Sequence, residues 1–167
     1  MRAFLVAHAV AVVRVHVGGD FYSRAYARKW LRVMRRSPRV RFFFYTRSWR
    51  VCAIKAVIDR MARLPNCEVW YSADRDTGVP SDVPPGVRVA WLSVAENDSP
   101  PARIDLAFRV RALRSRPVQP GGPPVCPAED GVPRPRRVTC DACGRCWHPA
   151  PEATRTPLRV VDPTEPG

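Results

Sequence analysis

Apolar and polar positions run through the first two-thirds of the chain with two alternating periods. Residues 12–17 (VVRVHV) have the composition of a strand and stop at Gly18-Gly19-Asp20. From residue 22 to about 36 the period becomes helical, with Tyr22, Tyr26 and Trp30 on one stripe and Arg24, Arg28, Arg32 and Arg35 on another. Residues 39–46 (RVRFFFYT) form a second strand closed by Arg47-Ser48. A second helix runs from Val51 to about Leu64, with Val51, Ile54, Ile58 and Met61 as its apolar stripe and Val57 beside it. Ser48 is placed to cap it, and Pro65-Asn66 breaks it. Residues 67–73, 87–94 and 104–110 read as three further strands, the last one short.

Strand, helix, strand, helix, strand is the pattern of βαβ units with a parallel sheet. The predicted fold class is therefore α/β, with parallel βαβ repeats forming a partial barrel or an open sheet, including a doubly wound one. Five strands are too few for a closed eight-stranded barrel. The texture changes at Arg116, and 12 of the 19 prolines follow it. The expected organisation is an α/β domain over residues 1–116 and a Pro/Gly linker over 117–125. A small cysteine-rich metal-binding segment over 126–148 and a loose tail over 149–167 follow.

Charge adds a partner class. Residues 1–66 hold 15 basic and 2 acidic residues, a net +13, and residues 67–167 hold 13 of each. A cationic field confined to one part of a chain favours polyanions, so nucleic acid is the candidate partner of the basic N-terminal 66 residues. Of the 28 basic residues 26 are Arg, a bias that high-GC codon usage also produces. The apolar run of residues 3–13 after Arg2 has the look of a weak secretion-signal core. It flows into strand-like sequence, which predicts a buried first element. No stretch approaches the ~20 apolar residues of a bilayer span, and no membrane partner is expected. The expected compartment is the cytoplasm, with reduced thiols.

The most specific chemistry is Cys126-Pro127 followed by Cys140-x2-Cys143-x2-Cys146, four thiols within 21 residues. Such a cluster in a reducing compartment points to a metal. The grouping is one plus three. A triple Cys-x2-Cys-x2-Cys run with a further Cys-Pro fits an iron–sulfur cluster. Zinc usually takes two pairs, and His148 is a rival fourth ligand for it. Iron–sulfur and zinc both remain open. Cys52 and Cys67 read as small core residues.

Ligands of parallel α/β proteins bind at the carboxyl ends of strands. Three strands here end in polar clusters: His16 with Gly18, Gly19 and Asp20; Tyr45, Thr46, Arg47 and Ser48; and Ser72, Asp74, Arg75 and Asp76. A parallel sheet brings them to one rim. His16, Asp20, Arg47 and Asp74 are the candidate active groups of that rim, and Gly18, Gly19, Asp20, Thr46, Ser48 and Asp76 the candidate binding groups. Each also has a structural reading. His16, sharing a strand face with Arg14, could be a satisfied structural group. Asp20 could cap the following helix, and Asp74 and Asp76 could bond turn amides.

Several blocks together resemble the phage and plasmid gene product 88 family. They are residues 14–23 (RVHVGGDFYS), Arg28-Lys29-Trp30, residues 44–50 (FYTRSWR), residues 72–76 (SADRD), Cys126-Pro127, and Cys140, Cys143 and Cys146-Trp147. The resemblance covers roughly residues 10–147, in order. It implies a distant likeness to radical S-adenosylmethionine enzymes, with a βα-repeat barrel. Gly18-Gly19-Asp20 would stand where those enzymes hold the methionine amine. This chain has no cysteine before Cys52 and no Cys-x3-Cys-x2-Cys. The expectation is a chain without the N-terminal part of that fold, in which S-adenosylmethionine is not a cofactor. The alternative readings are a zinc-stabilised nucleic-acid-binding or interaction module and a degenerate, inactive fragment.

Overall fold

A computed structural model of the protein describes residues 2–98, 100–116, 118, 120–132 and 138–149. Of the expected tail, all but Pro149 lies outside the described residues. Five strands, β1 (Val12–Arg14), β2 (Arg41–Thr46), β3 (Cys67–Ala73), β4 (Val87–Ser93) and β5 (Leu106–Arg109), form one sheet. Their order in space is their order in sequence, and every pair is parallel. Such a sheet winds in one direction, as a curled half-barrel. A doubly wound sheet reverses its strand order at a switch point, so that alternative is excluded.

Two of the four crossovers are helical. α2 (Arg24–Arg35) connects β1 to β2, and α3 (Cys52–Ala62) connects β2 to β3. Residues 74–86 and 94–105 make the other two with no helix among their described residues, at about the dozen residues a parallel crossover needs. Val79 and Val83 from the first of them pack on Ala73, Val89, Trp91 and Ile104. These loop side chains therefore fill the layer that a third helix would occupy.

The helix-side core follows from the two periods meeting. Phe42 and Phe44 of β2, and Val69 and Tyr71 of β3, point to one face. They meet Ala27, Leu31 and Met34 of α2 and Ile54, Ile58 and Met61 of α3. Met34, Ile58 and Met61 are wholly buried, and truncating any one to Ala removes about 2–5 kcal/mol. Ser23 caps α2, its Oγ accepting from the Tyr26 amide at 3.1 Å. The other end is closed by Asn66, whose Nδ2 donates to the carbonyls of Met34, Ser37 and Val40 at 3.0–3.2 Å. The residue read as a helix breaker thus ties the end of α2 to the start of β3.

Several expectations are corrected. The first strand ends at Arg14 rather than residue 17, because His16 adopts a positive φ of 63°. The first element is a short helix, α1 (Arg2–Ala7), of which Leu5 is buried while Phe4 and Val6 are exposed. Ser48 does not cap α3. It opens a 3-10 turn (Ser48–Arg50), and its hydroxyl donates to the Phe21 carbonyl at 2.9 Å. Val51 sits at the α3 cap position and is 50% exposed, outside the apolar stripe. Cys67 is in the core, but Cys52 is exposed. The stretch read as a linker ends docked, with Val125 bridged to Ala107 beside β5.

Candidate functional site

The rim forms, and the charges of Asp20, Arg47 and Asp74 are partnered within it. The Asp20 carboxylate is the hub. Its Oδ1 accepts from the Phe21 amide at 2.7 Å and the Thr46 hydroxyl at 2.6 Å. Its Oδ2 accepts from the amides of Arg47 at 2.6 Å and Ser48 at 3.1 Å. Asp20 therefore ties the β1–α2 loop to the end of β2 and does not cap α2. Arg47 reaches across to β3 and donates to the Asp74 carboxylate. The other oxygen of Asp74 accepts from the Thr77 amide and hydroxyl at 2.8 Å and the Asp76 amide at 3.2 Å. Burial alone would push the Asp74 carboxyl up. Thr77, the Arg47 guanidinium and the Asp76 amide outweigh it and hold the carboxyl below the ordinary aspartate value.

The structure thus brings Asp20, Thr46, Arg47, Ser48 and Asp74 together. It leaves four candidates apart. His16 shares no face with Arg14, because its positive φ breaks the strand alternation. Arg14 lies over the Tyr45 ring at 5.5 Å. His16 instead turns to α2, where its Nε2 bonds the Tyr26 hydroxyl at 2.9 Å. Its ring packs among Phe21, Tyr26 and Trp30. Burial there lowers its pKa, against the opposing charge of Asp20. Gly18 and Gly19 are exposed with open space around both, and Gly19 needs glycine for its φ of 79°. The Asp76 side chain is exposed. The sequence reading missed Thr77, whose signal was the Asp-x-x-Thr spacing of a turn after a strand.

The second candidate region is the opposite face of the sheet. Register places Tyr45, Trp70 and Arg88 side by side across β2, β3 and β4. The cysteine segment lies on them. The Tyr45 hydroxyl donates to Cys146 Sγ at 2.9 Å, and Trp70 Nε1 donates to the Cys146 carbonyl at 3.0 Å. Arg88 stacks over the Trp70 ring at 3.8 Å and pairs with Glu68 at 3.0 Å. It also donates to the carbonyls of Arg145 at 3.0 Å and His148 at 3.1 Å. Trp147 is buried, its ring 5.5 Å from that of Phe43.

Within the segment, Cys140 and Cys143 bound a single helical turn, α4 (Cys140–Cys143), capped by the Thr139 hydroxyl. Gly144 follows at a φ of 65°, and a Cβ there would meet the His148 ring at 2.4 Å. Only glycine allows this turn, which brings the chain back to Cys146. Cys126 is anchored separately, its amide donating to the Ala107 carbonyl at 2.8 Å. All six cysteines are free thiols. Burial pushes the Cys126 thiol up to about 11, with Glu129, Cys146 and Cys140 adding to it against an Ala128 amide. Burial also raises Cys146, and Cys140 and Cys143 act in the same direction. Cys126, Cys140 and Cys143 are thus each within electrostatic reach of Cys146. Among the described residues, no three Cys, His, Asp or Glu side chains are grouped at metal-ligand spacing. No helix of the described residues is long and apolar enough to cross a membrane.

The fold and this arrangement define a class: a parallel α/β half-barrel with a cysteine-bearing segment fastened to one face of its sheet. The chain belongs to the Gene product 88 family, whose model matches residues 1–149. It is 41% identical over 63 residues to the Gene 88 protein of Mycobacterium phage L5, and 38% identical over 63 residues to that of Mycobacterium phage D29. Each match covers 38% of this chain and 25% of the relative, so it spans about a quarter of the length of these curated relatives. Neither name states an activity. No solved structure matches the chain.

Proposed function

We propose that the protein is a thiolate metalloprotein, in which Cys126, Cys140, Cys143 and Cys146 hold an iron–sulfur cluster or a zinc ion against the sheet. The supporting observation is the docking of both cysteine-bearing pieces, residues 124–126 and 139–148, on one strand system. The Tyr45 hydroxyl aimed at Cys146 Sγ fits a thiolate, because an O–H donor stabilises the charged sulfur. Cys140 and Cys143, three apart on one helical turn, share a face. The thiols are neighbours short of ligand spacing, and metal binding would draw α4 and Cys126 together. The metal would staple the C-terminal segment across the sheet. No step through S-adenosylmethionine belongs to this reading.

The test is an anaerobic preparation of the full chain, assayed for iron, zinc and absorption. Broad absorption near ~400 nm with iron, lost in Cys143→Ala, establishes an iron–sulfur centre. About one zinc per chain in a colourless protein, lost in the same variant, establishes the zinc form. A chain that takes up neither metal after reconstitution, or holds it equally well as Cys143→Ala, overturns the proposal.

A further inference from the structure

We propose that the solvent face of α2 is a nucleic-acid interface that grips the phosphate backbone with Arg24, Arg28, Arg32 and Arg35 and stacks a base on Tyr22. This goes beyond the metal reading and is independent of it. α2 (RAYARKWLRVMR) contains no acidic residue, and Arg24, Arg28, Arg32 and Arg35 are all exposed. Lys29 and Arg36 flank them and are exposed too. Among the described residues none of these six forms an ion pair, whereas Lys55 on neighbouring α3 is bound to both Asp59 and Asp82. Residues one turn apart stand about 6 Å from each other along a helix, so the stripe sets out several cations in a row. Arginine suits phosphate, because its planar fork bonds two oxygens at once.

The other face of α2 decides between polyanions. Ala27, Leu31 and Met34 are buried against the sheet, and Tyr26, Trp30 and Val33 pack beside them. The helix therefore has no apolar face left to sink into a bilayer, which an interfacial helix requires. Tyr22 supplies what nucleic acid adds to charge. It precedes the stripe, is 79% exposed, and is braced by stacking on Tyr26 at 4.5 Å. An exposed, braced ring beside a cationic row is a stacking platform for an unpaired base. The favoured ligand is a single strand.

The experiment measures binding of a fluorescent single-stranded oligonucleotide and its duplex to the full chain across a salt series. Four phosphate contacts on a single strand predict a loss of about 50-fold between about 50 and 200 mM salt. Arg28→Glu/Arg32→Glu should weaken binding at least tenfold and flatten the salt slope. Arg28→Gln/Arg32→Gln should do the same more mildly, and thermal transitions matching the parent show that both variants fold. Arg103→Glu/Arg111→Glu makes the same change of net charge elsewhere and should bind within about twofold of the parent. Tyr22→Ala should cost about tenfold on the single strand and little on the duplex. Equal losses in both charge-reversal pairs overturn the proposal, since net charge alone would then be acting. So do an unaffected Arg28→Glu/Arg32→Glu, or binding to anionic phosphatidylglycerol vesicles with none to either oligonucleotide. An unaffected Tyr22→Ala overturns the assignment of the single strand.

Discussion

The strand-end rim and helix α2 both looked functional for the same reason, a concentration of charged side chains. The structure treats them in opposite ways. At the rim, Asp20 accepts four hydrogen bonds and Asp74 is held by Arg47 and Thr77, so the charges are partnered inside the protein. On α2 the cations face solvent and form no ion pair among the described residues. A satisfied charge contributes to the fold, whereas an unsatisfied one is available to a ligand. The rim is thus a latch holding the ends of β1, β2 and β3 together, whereas the cations of α2 stay exposed on the surface.

The sharpest break in this comparison is Asp20→Ala. It leaves the Arg47 amide and the buried Thr46 hydroxyl without their acceptor and the Ser48 amide with Thr46 Oγ1 alone, and should cost about 3 kcal/mol. For a domain of this size that lowers Tm by roughly 6–12 °C in a thermal melt. A drop of less than a degree would show that the latch does not hold the strand ends. Arg47→Ala should cost less, about 1 kcal/mol in a denaturant titration, because the side chain is 46% exposed and solvent screens its pair with Asp74.

Acid supplies a third, smaller test. The folded-state pKa of Asp74 is depressed, so its contribution is present above the unfolded aspartate value and is lost as pH falls through the depressed one. Stability of the parent should therefore fall on acidification below about pH 4. That portion of the fall should be absent in Asp74→Asn, compared by melts across the same pH series. The least effect belongs to α2. Arg28→Glu should change stability by no more than about 0.5 kcal/mol, because an exposed, unpaired side chain has little to lose in the fold. A large destabilisation by Arg28→Glu would erase the contrast, since that cation would then serve the fold as Asp20 does.

Much of the architecture was legible in the chain. β3 has the bounds read for it, and β2, β4, β5 and α3 lie within a few residues of theirs, because alternation and helical period report which face is buried. The rim was legible as a meeting of three strand ends, since a parallel sheet must bring them to one side. Its wiring was not. Asp20 had a nearer candidate role as a helix cap, and only folding put the Arg47 and Ser48 amides, 27 and 28 residues away, within reach of its oxygens. His16 was misplaced because strand alternation assumes extended backbone, and one positive φ there sends the ring to α2 instead.

The cysteine segment divides in the same manner. Spacing marks Cys126, Cys140, Cys143 and Cys146 as a set, and Gly144 as a turn. That Tyr45, Trp70 and Arg88 would receive the segment could not be read, because nothing local links residues separated by 57 to 101 positions. The sequence by itself determined the period of α2, α3 and β2 to β5, the parallel α/β class and the cationic composition of α2. Tertiary structure alone decided which charges find partners. Periodicity is a property of neighbours along the chain, whereas satisfaction of a charge depends on what the sheet brings beside it.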